Sequence, residues 1–256
     1  MDSLERDGAT IAYEIHGAPS TRLPLLLTHG FGASSAMWVP NLPALAEDRQ
    51  VITWDVRGHG GSTASDEPGR YTQAASVDDM AAVLDAVGAP QAAVGGLSLG
   101  GYLSLAFHLA HPDRVGALLL FDTGPGYRDD EGRERWNQWA RSQAERLERH
   151  GLAALEDSPE RRRGAHDPNG LALAARGILT QRTSAVIDSL PTIAVPTLVL
   201  VGSDDRPFLA AADYMARRIP GATRRVIEGA GHASNIDRPD EFDAAVLSFL
   251  DGLERL

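Results

Sequence analysis

The sequence predicts an α/β fold: a doubly wound, mostly parallel β-sheet with a helical insertion between two of its strands. Three observations predict it. Short apolar runs ("PLLLTHG", "QVITWDV", "AAVGGLS", "VGALLLFD", "PTLVLVG") recur along the chain, and helical periods lie between them. Runs of this length without polar alternation suit strands buried on both faces, as in a parallel sheet. The alternation stops between Tyr127 and Leu190, where charged helical stretches replace strand runs. Charge marks the same interval: residues 125–190 hold eleven arginines and eleven acids, so the rest of the chain carries the whole net charge of −11.

In order along the chain, "GATIAYEIHG" alternates as an edge strand does, and "PLLLTHG" and "QVITWDV" are buried strands that run into glycine-containing loops. Between Ser76 and Val87 a helix is predicted, with Val77, Met80, Ala81, Leu84 and Val87 on one face and Asp78, Asp79 and Asp85 off it. "AAVGGLS" is a strand that passes into the helix "YLSLAFHLA", and "VGALLLFD" is the next strand. The insertion follows, with "EGRERWNQWARSQAERLERHGLAAL" as a helix, "SPERRRGAHDPNG" as a loop and "LALAARGIL" as a second helix. Pro191 and Pro196 bracket the return to the strand "PTLVLVG"; "TRRVIEG" reads as a further strand and a last helix opens at Pro239. The expected organisation is a core over 1–124 and 191–256 with a helical cap over 125–190. In such a sheet ligands bind beyond the carboxyl ends of the strands, so functional residues are sought just after strands.

Composition excludes several chemistries. The chain of 256 residues has no cysteine, and all 24 of its basic residues are arginine. Disulfides, thiolate nucleophiles, Schiff-base lysines and the phosphate-loop lysine are thereby removed. A net charge of −11 argues against nucleic acid and against an anionic membrane surface as partners. No apolar run approaches the roughly 18 residues of a membrane span, and "MDSLERDGAT" lacks a basic region followed by an apolar one. A cytoplasmic protein is expected.

"GLSLG", residues 96–100, fits G-x-S-x-G, in which a sharp strand-to-helix turn holds the serine exposed and its backbone strained. Ser98 is a candidate nucleophile; the competing reading is a serine that only caps a helix. A serine needs a base. Among eight histidines, His232 in "IEGAGHASNIDRPDEF" stands in a loop after a strand. His16, His108, His111, His150 and His166 suit surface or packing roles. Three acids follow strands and could orient the imidazole: Asp205 is preferred, with Asp204 and Asp122 left open. In the insertion, Trp136 and Trp139 share a helical face and either line an apolar pocket or anchor the helix. The run Arg161 to Arg163 reads as a solvated patch, or as a contact for a substrate carboxylate.

The order Ser98, Asp205, His232, together with "LLLTHGFGASSAMW", "DVRGHGGS" and "GAGHASNIDRP", resembles the α/β-hydrolase superfamily over nearly the whole chain outside the cap. The resemblance implies a helical cap inserted after the sixth strand and an oxyanion hole formed by the backbone N–H groups of Phe31 and Leu99. It makes His29, Arg57 and His59 structural members of loops. It implies a cofactor-independent serine hydrolase acting on a small-molecule carboxylic ester or lactone, with no metal. "HGFGASSAMW" and "GLSLGG" are similar to enol-lactonases. A C–C bond hydrolase, a cofactor-free perhydrolase and a non-catalytic small-molecule receptor are the alternatives, and a homodimer is left open.

Overall fold

A computed structural model describes residues 1–155 and 167–253. Its sheet is built from β1 (Asp2–Arg6), β2 (Ala9–His16), β3 (Leu25–Thr28), β4 (Val51–Trp54), β5 (Thr63–Ala64), β6 (Ala92–Leu97), β7 (Val115–Phe121), β8 (Thr197–Gly202) and β9 (Thr223–Ile227). The strand order is β1-β2-β4-β3-β6-β7-β8-β9, with the two-residue β5 pairing to β2. From β4 to β9 every pairing is parallel, while β2 is antiparallel to β1, β4 and β5. Leaving the short β5 aside, β7 is the sixth strand, and the inserted helices follow it.

The period of two along the strands divides the core into two clusters. Leu26, Ile52, Trp54, Val94, Leu118, Leu120, Val199 and Val201 face one side. Leu25, Leu27, Val51, Ala93, Leu119, Phe121, Leu198 and Leu200 face the other. The first side is covered by α2 (Gln73–Ala86), α3 (Leu99–Ala110) and α7 (Arg206–Arg218), the second by α1 (Leu42–Leu45) and α8 (Pro239–Leu253). Being apolar on both faces, β3, β4, β6, β7 and β8 read as unbroken hydrophobic runs.

Two expectations need correction. "GATIAYEIHG" is not an edge strand, because β2 lies between β1 and β4; the edge is β1, whose polar "DSLER" carries no strand-like apolar run. Asp79, placed off the apolar face of α2, is fully buried. Its carboxylate accepts two hydrogen bonds from Arg57, at 2.6 Å from Nε and 2.8 Å from Nη2. Helix α2 is therefore fastened by a forked ion pair as well as by apolar packing.

Between β7 and β8 lie α4 (Asp130–His150), α5 (Pro168–Gly177) and α6 (Ala185–Ser189). Asp129 caps α4 through Gly132 N–H, and Asp167 caps α5 through the N–H groups of Asn169 and Gly170. Apolar residues of both helices, among them Ala140, Ala144, Leu147, Leu171 and Ala175, join the first core cluster. The insertion thus shares a core with the sheet. Arg161 to Arg163 and His166 lie outside the described residues.

Candidate active site

Ser98 stands between β6 and α3 at φ +55° and ψ −113°. A positive φ at a non-glycine residue costs on the order of 1–3 kcal/mol and persists only where its surroundings fix it. Here Ser98 N–H donates to the Phe121 carbonyl at 2.9 Å, and the Ser98 carbonyl accepts from Tyr102 N–H at 3.1 Å. Thr123 Oγ1 donates to the same carbonyl at 2.6 Å. The chain can turn this tightly because its neighbours lack side chains. A Cβ on Gly96 would lie 2.5 Å from the Thr28 carbonyl oxygen, and one on Gly100 2.1 Å from it. Ser98 occupies the N-cap position of α3, but its side chain makes no capping hydrogen bond. The hydroxyl has no structural duty in the helix.

Beyond Ser98, Asp205 and His232 meet. The carboxylate of Asp205, buried at the start of α7, lies 2.8 Å from Nδ1 of His232. A carboxylate can only accept, so Nδ1 carries the proton and Nε2 is left as the basic nitrogen. The Phe208 ring, one turn into α7, stacks on the imidazole with centroids 4.9 Å apart and planes at 26°. Asp204 is exposed, and its N–H donates to the Ala230 carbonyl.

Asp122, at the end of β7, is fully buried and engaged elsewhere. Its Oδ1 accepts from Gly202 N–H at 2.8 Å, and its Oδ2 accepts from the Ser234 hydroxyl at 2.5 Å. One carboxylate thus ties the end of the strand that leads to Asp205 to the loop that carries His232. Burial pushes its pKa up to about 7 in spite of those donors.

Phe31 and Leu99 line the same cavity as Ser98. Neither backbone N–H has an acceptor among the described residues, and Leu99 opens α3, where the helix dipole favours negative charge. His29 and Asp55 hold the Phe31 loop. The His29 Nδ1 donates to the Gly30 carbonyl at 2.8 Å while its Nε2 accepts from Val56 N–H at 3.0 Å. The Asp55 carboxylate accepts from Ser35 N–H at 2.6 Å and Gly61 N–H at 2.8 Å. Ser62 Oγ donates to the Asp55 carbonyl and accepts from Ala12 N–H. Together with the Arg57–Asp79 pair, these bonds give "HGFG" and "DVRGHGGS" a scaffolding part.

The cavity holds about 1130 Å³ and runs from Ser98, Leu99 and His232 to the inserted helices. Both tryptophans line it, and Trp136 also anchors its helix by donating from Nε1 to the Leu179 carbonyl at 2.8 Å. Trp139 packs on Trp136 with centroids 4.7 Å apart and remains 43% exposed. The two functions weighed for these rings coexist. Among the cavity residues that sequence reasoning missed are Tyr102, Thr123, Gln181 and Phe208. Thr123 directly follows Asp122 and Phe208 lies one helical turn past Asp205, both singled out in the sequence; Gln181 lies in a loop with no motif.

The sequence pattern of the α/β hydrolase fold family matches residues 24–162. The chain belongs to this family. Over 98% of its length the hydrolase is 30% identical to a Caulobacter sp. (strain K31) protein provisionally named carbamate hydrolase RutD, of which 99% is covered. Among solved structures, an esterase from Thermogutta terrifontis is 32% identical with a TM-score of 0.82, the match covering 96% of this chain and 94% of that one. The enol-lactonase from Burkholderia xenovorans LB400 is 26% identical with a TM-score of 0.80, at 98% and 100% coverage. Among the described residues the hydrolase has no helix long and apolar enough to cross a membrane. It has no group of three or more histidine or acidic side chains arranged to hold a metal ion among those residues.

Proposed function

We propose that the protein cleaves a carboxylic ester or lactone through an acyl-enzyme on Ser98. The reading is carried by the pairing of Asp205 with His232 at 2.8 Å beside a serine whose backbone is held at positive φ in the same cavity. His232 Nε2 takes the proton of Ser98 Oγ as the oxygen attacks the acyl carbon, and returns it to the leaving alkoxide. Asp205 orients the imidazole and stabilises the imidazolium. The backbone N–H groups of Phe31 and Leu99 receive the developing oxyanion, where losing one such donor costs about 3–4 kcal/mol. Water, deprotonated by the same histidine, then releases the acid. The described part of the insertion closes the cavity as a cap, with Trp136 and Trp139 as an apolar wall.

The similarity to a protein named carbamate hydrolase favours a second substrate class. A carbamate presents the same acyl carbon to the same nucleophile, with a nitrogen substituent in place of carbon. A panel of chromogenic esters, lactones and carbamates distinguishes the classes. The nucleophile is tested by a fluorophosphonate, which should label the folded protein stoichiometrically and fail to label Ser98→Ala. Turnover of a small ester persisting in Ser98→Ala would remove the serine from the mechanism.

A further inference from the structure

The cavity wall contributed by the insertion contains a side-chain amide whose nitrogen is used neither by the proposed reaction nor by the fold. Gln181 is 7% exposed and lines the cavity together with Trp136, Trp139 and Tyr127. Its main chain is pinned by Asn137, whose Nδ2 donates to the Gln181 carbonyl at 2.8 Å and whose Oδ1 accepts from Gln181 N–H at 2.7 Å. Its side-chain Oε1 accepts from Tyr127 N–H at 3.2 Å. That donor fixes which end of the amide is oxygen, because an amide nitrogen in that place would oppose donor to donor. The preceding Gly126 is at φ +85°, and a Cβ there would come within 2.7 Å of Oε1, so the backbone is shaped around the amide.

Gly126 packs against the whole amide, whereas the hydrogen bond from Tyr127 engages its oxygen alone, and Nε2 has no hydrogen-bond partner among the described residues. The Nε2 is not among the polar atoms sealed from solvent without a partner. It is an amide donor on a mostly apolar wall that includes Trp136, Trp139 and Tyr127. Arg135, a cation that also lines the cavity, pairs with Glu131 at 2.6 Å in an exposed contact one helical turn away and is the competing donor on this wall.

We infer that Gln181 forms a specificity subsite for a neutral oxygen acceptor, a ketone or ester carbonyl, borne on the part of the substrate that extends under the inserted helices. The inference rests on the hydrolase reading above and deepens it: the substrate class becomes an oxo-substituted acyl ester or lactone rather than a plain alkanoate. A methylene at that point leaves Nε2 facing carbon, and a site built to donate a hydrogen bond discriminates against the analogue lacking the acceptor.

The test compares chromogenic esters of straight-chain acids carrying a ketone at successive positions with their all-methylene counterparts. In the wild type one ketone position should raise kcat/KM over its counterpart by on the order of tenfold. That ratio should fall to about one in Gln181→Leu, and below one in Gln181→Glu, where an acceptor replaces the donor and Oε1 can still serve Tyr127. The ratio is taken within each variant, so a loss of folded protein lowers both rates and leaves it standing. A preference that survives in both variants, or a wild type without preference at any ketone position, overturns the inference. Half-esters of dicarboxylic acids form the second arm. A preference for them that is lost in Arg135→Gln but kept in Gln181→Leu assigns the subsite to the guanidinium and also overturns it. Absence of fluorophosphonate labelling at Ser98 in the wild type is a different failure, that of the hydrolase reading itself, and this inference falls with it.

Discussion

At the scale of single residues, burial and engagement separate three aspartates that stand alike in the sequence. Each follows a strand, so position alone left Asp122, Asp204 and Asp205 open. The structure gives the imidazole to Asp205, turns Asp204 to solvent and commits both oxygens of Asp122 to Gly202 and Ser234. Asn at position 205 can still meet Nδ1, but it favours the wrong tautomer, and Asp205→Asn should lower kcat by on the order of 10⁴. Asp122→Asn keeps the shape and at least one of the two ties. Its loss should stay within about tenfold, the scale of a single net hydrogen bond. Steady-state turnover of one ester by both variants checks the pair, and the reverse ranking would place the acid at the end of β7. Ser98, His232 and Asp205 were legible because each has a motif or a strand end to mark it. Gln181 was not, because a cavity wall assembled from a loop and a distant helix leaves no local signal.

At the scale of elements, what was legible follows from hydration. Strands buried on both faces must be apolar throughout, and β3, β4, β6, β7 and β8 announced themselves that way. β1 was missed for the converse reason: three of its five residues are exposed, so backbone pairing with β2 holds it where apolar content does not. The β6–α3 turn is the element on which the proposed chemistry depends most. A methyl group added at Gly100 would meet the carbonyl oxygens of Thr28 and His29, both rigid backbone at the end of β3. Relief requires α3 to move away from the sheet and to carry Ser98 with it. Gly100→Ala should therefore destabilise by about 1–3 kcal/mol, as overpacking does, and slow fluorophosphonate labelling more than the lost folded fraction explains. Gly69→Ala, where a Cβ meets nothing within 4 Å, is the matched control. Urea unfolding and labelling rates measured side by side separate displacement of the serine from simple instability.

For the whole molecule, the groups that serve the site and those that stabilise the fold respond to pH in opposite senses. In the proposed reaction activity rises with pH as the imidazole loses its proton and becomes a base. Two buried acids act the other way on stability. Burial pushes the pKa of Asp122 up to about 7 and that of Asp243 up to about 6, against roughly 3.9 for an aspartate in an unfolded chain. Between those values the folded protein holds protons that the unfolded chain has released, so stability falls as pH rises. The loss is complete only above the folded pKa values, and it amounts to about 1.4 kcal/mol for each tenfold difference in acidity between the folded and unfolded carboxyl. His16 and His108, both lowered by burial, contribute the opposite trend, and theirs acts below about pH 6.5, where the unfolded imidazoles gain protons. Asp122 therefore governs the interval from about 6.5 to 7, the contribution of Asp243 ending near its folded pKa of about 6, and substitutions isolate each contribution. Urea midpoints from pH 5 to pH 8 should decline less steeply in Asp122→Asn and in Asp243→Asn than in the wild type. Slopes identical to the wild type in both variants would mean that these carboxyls ionise as ordinary ones do. The shallower decline should be largest in Asp122→Asn, because the more strongly shifted acid is the one that ties the β8 end to the His232 loop.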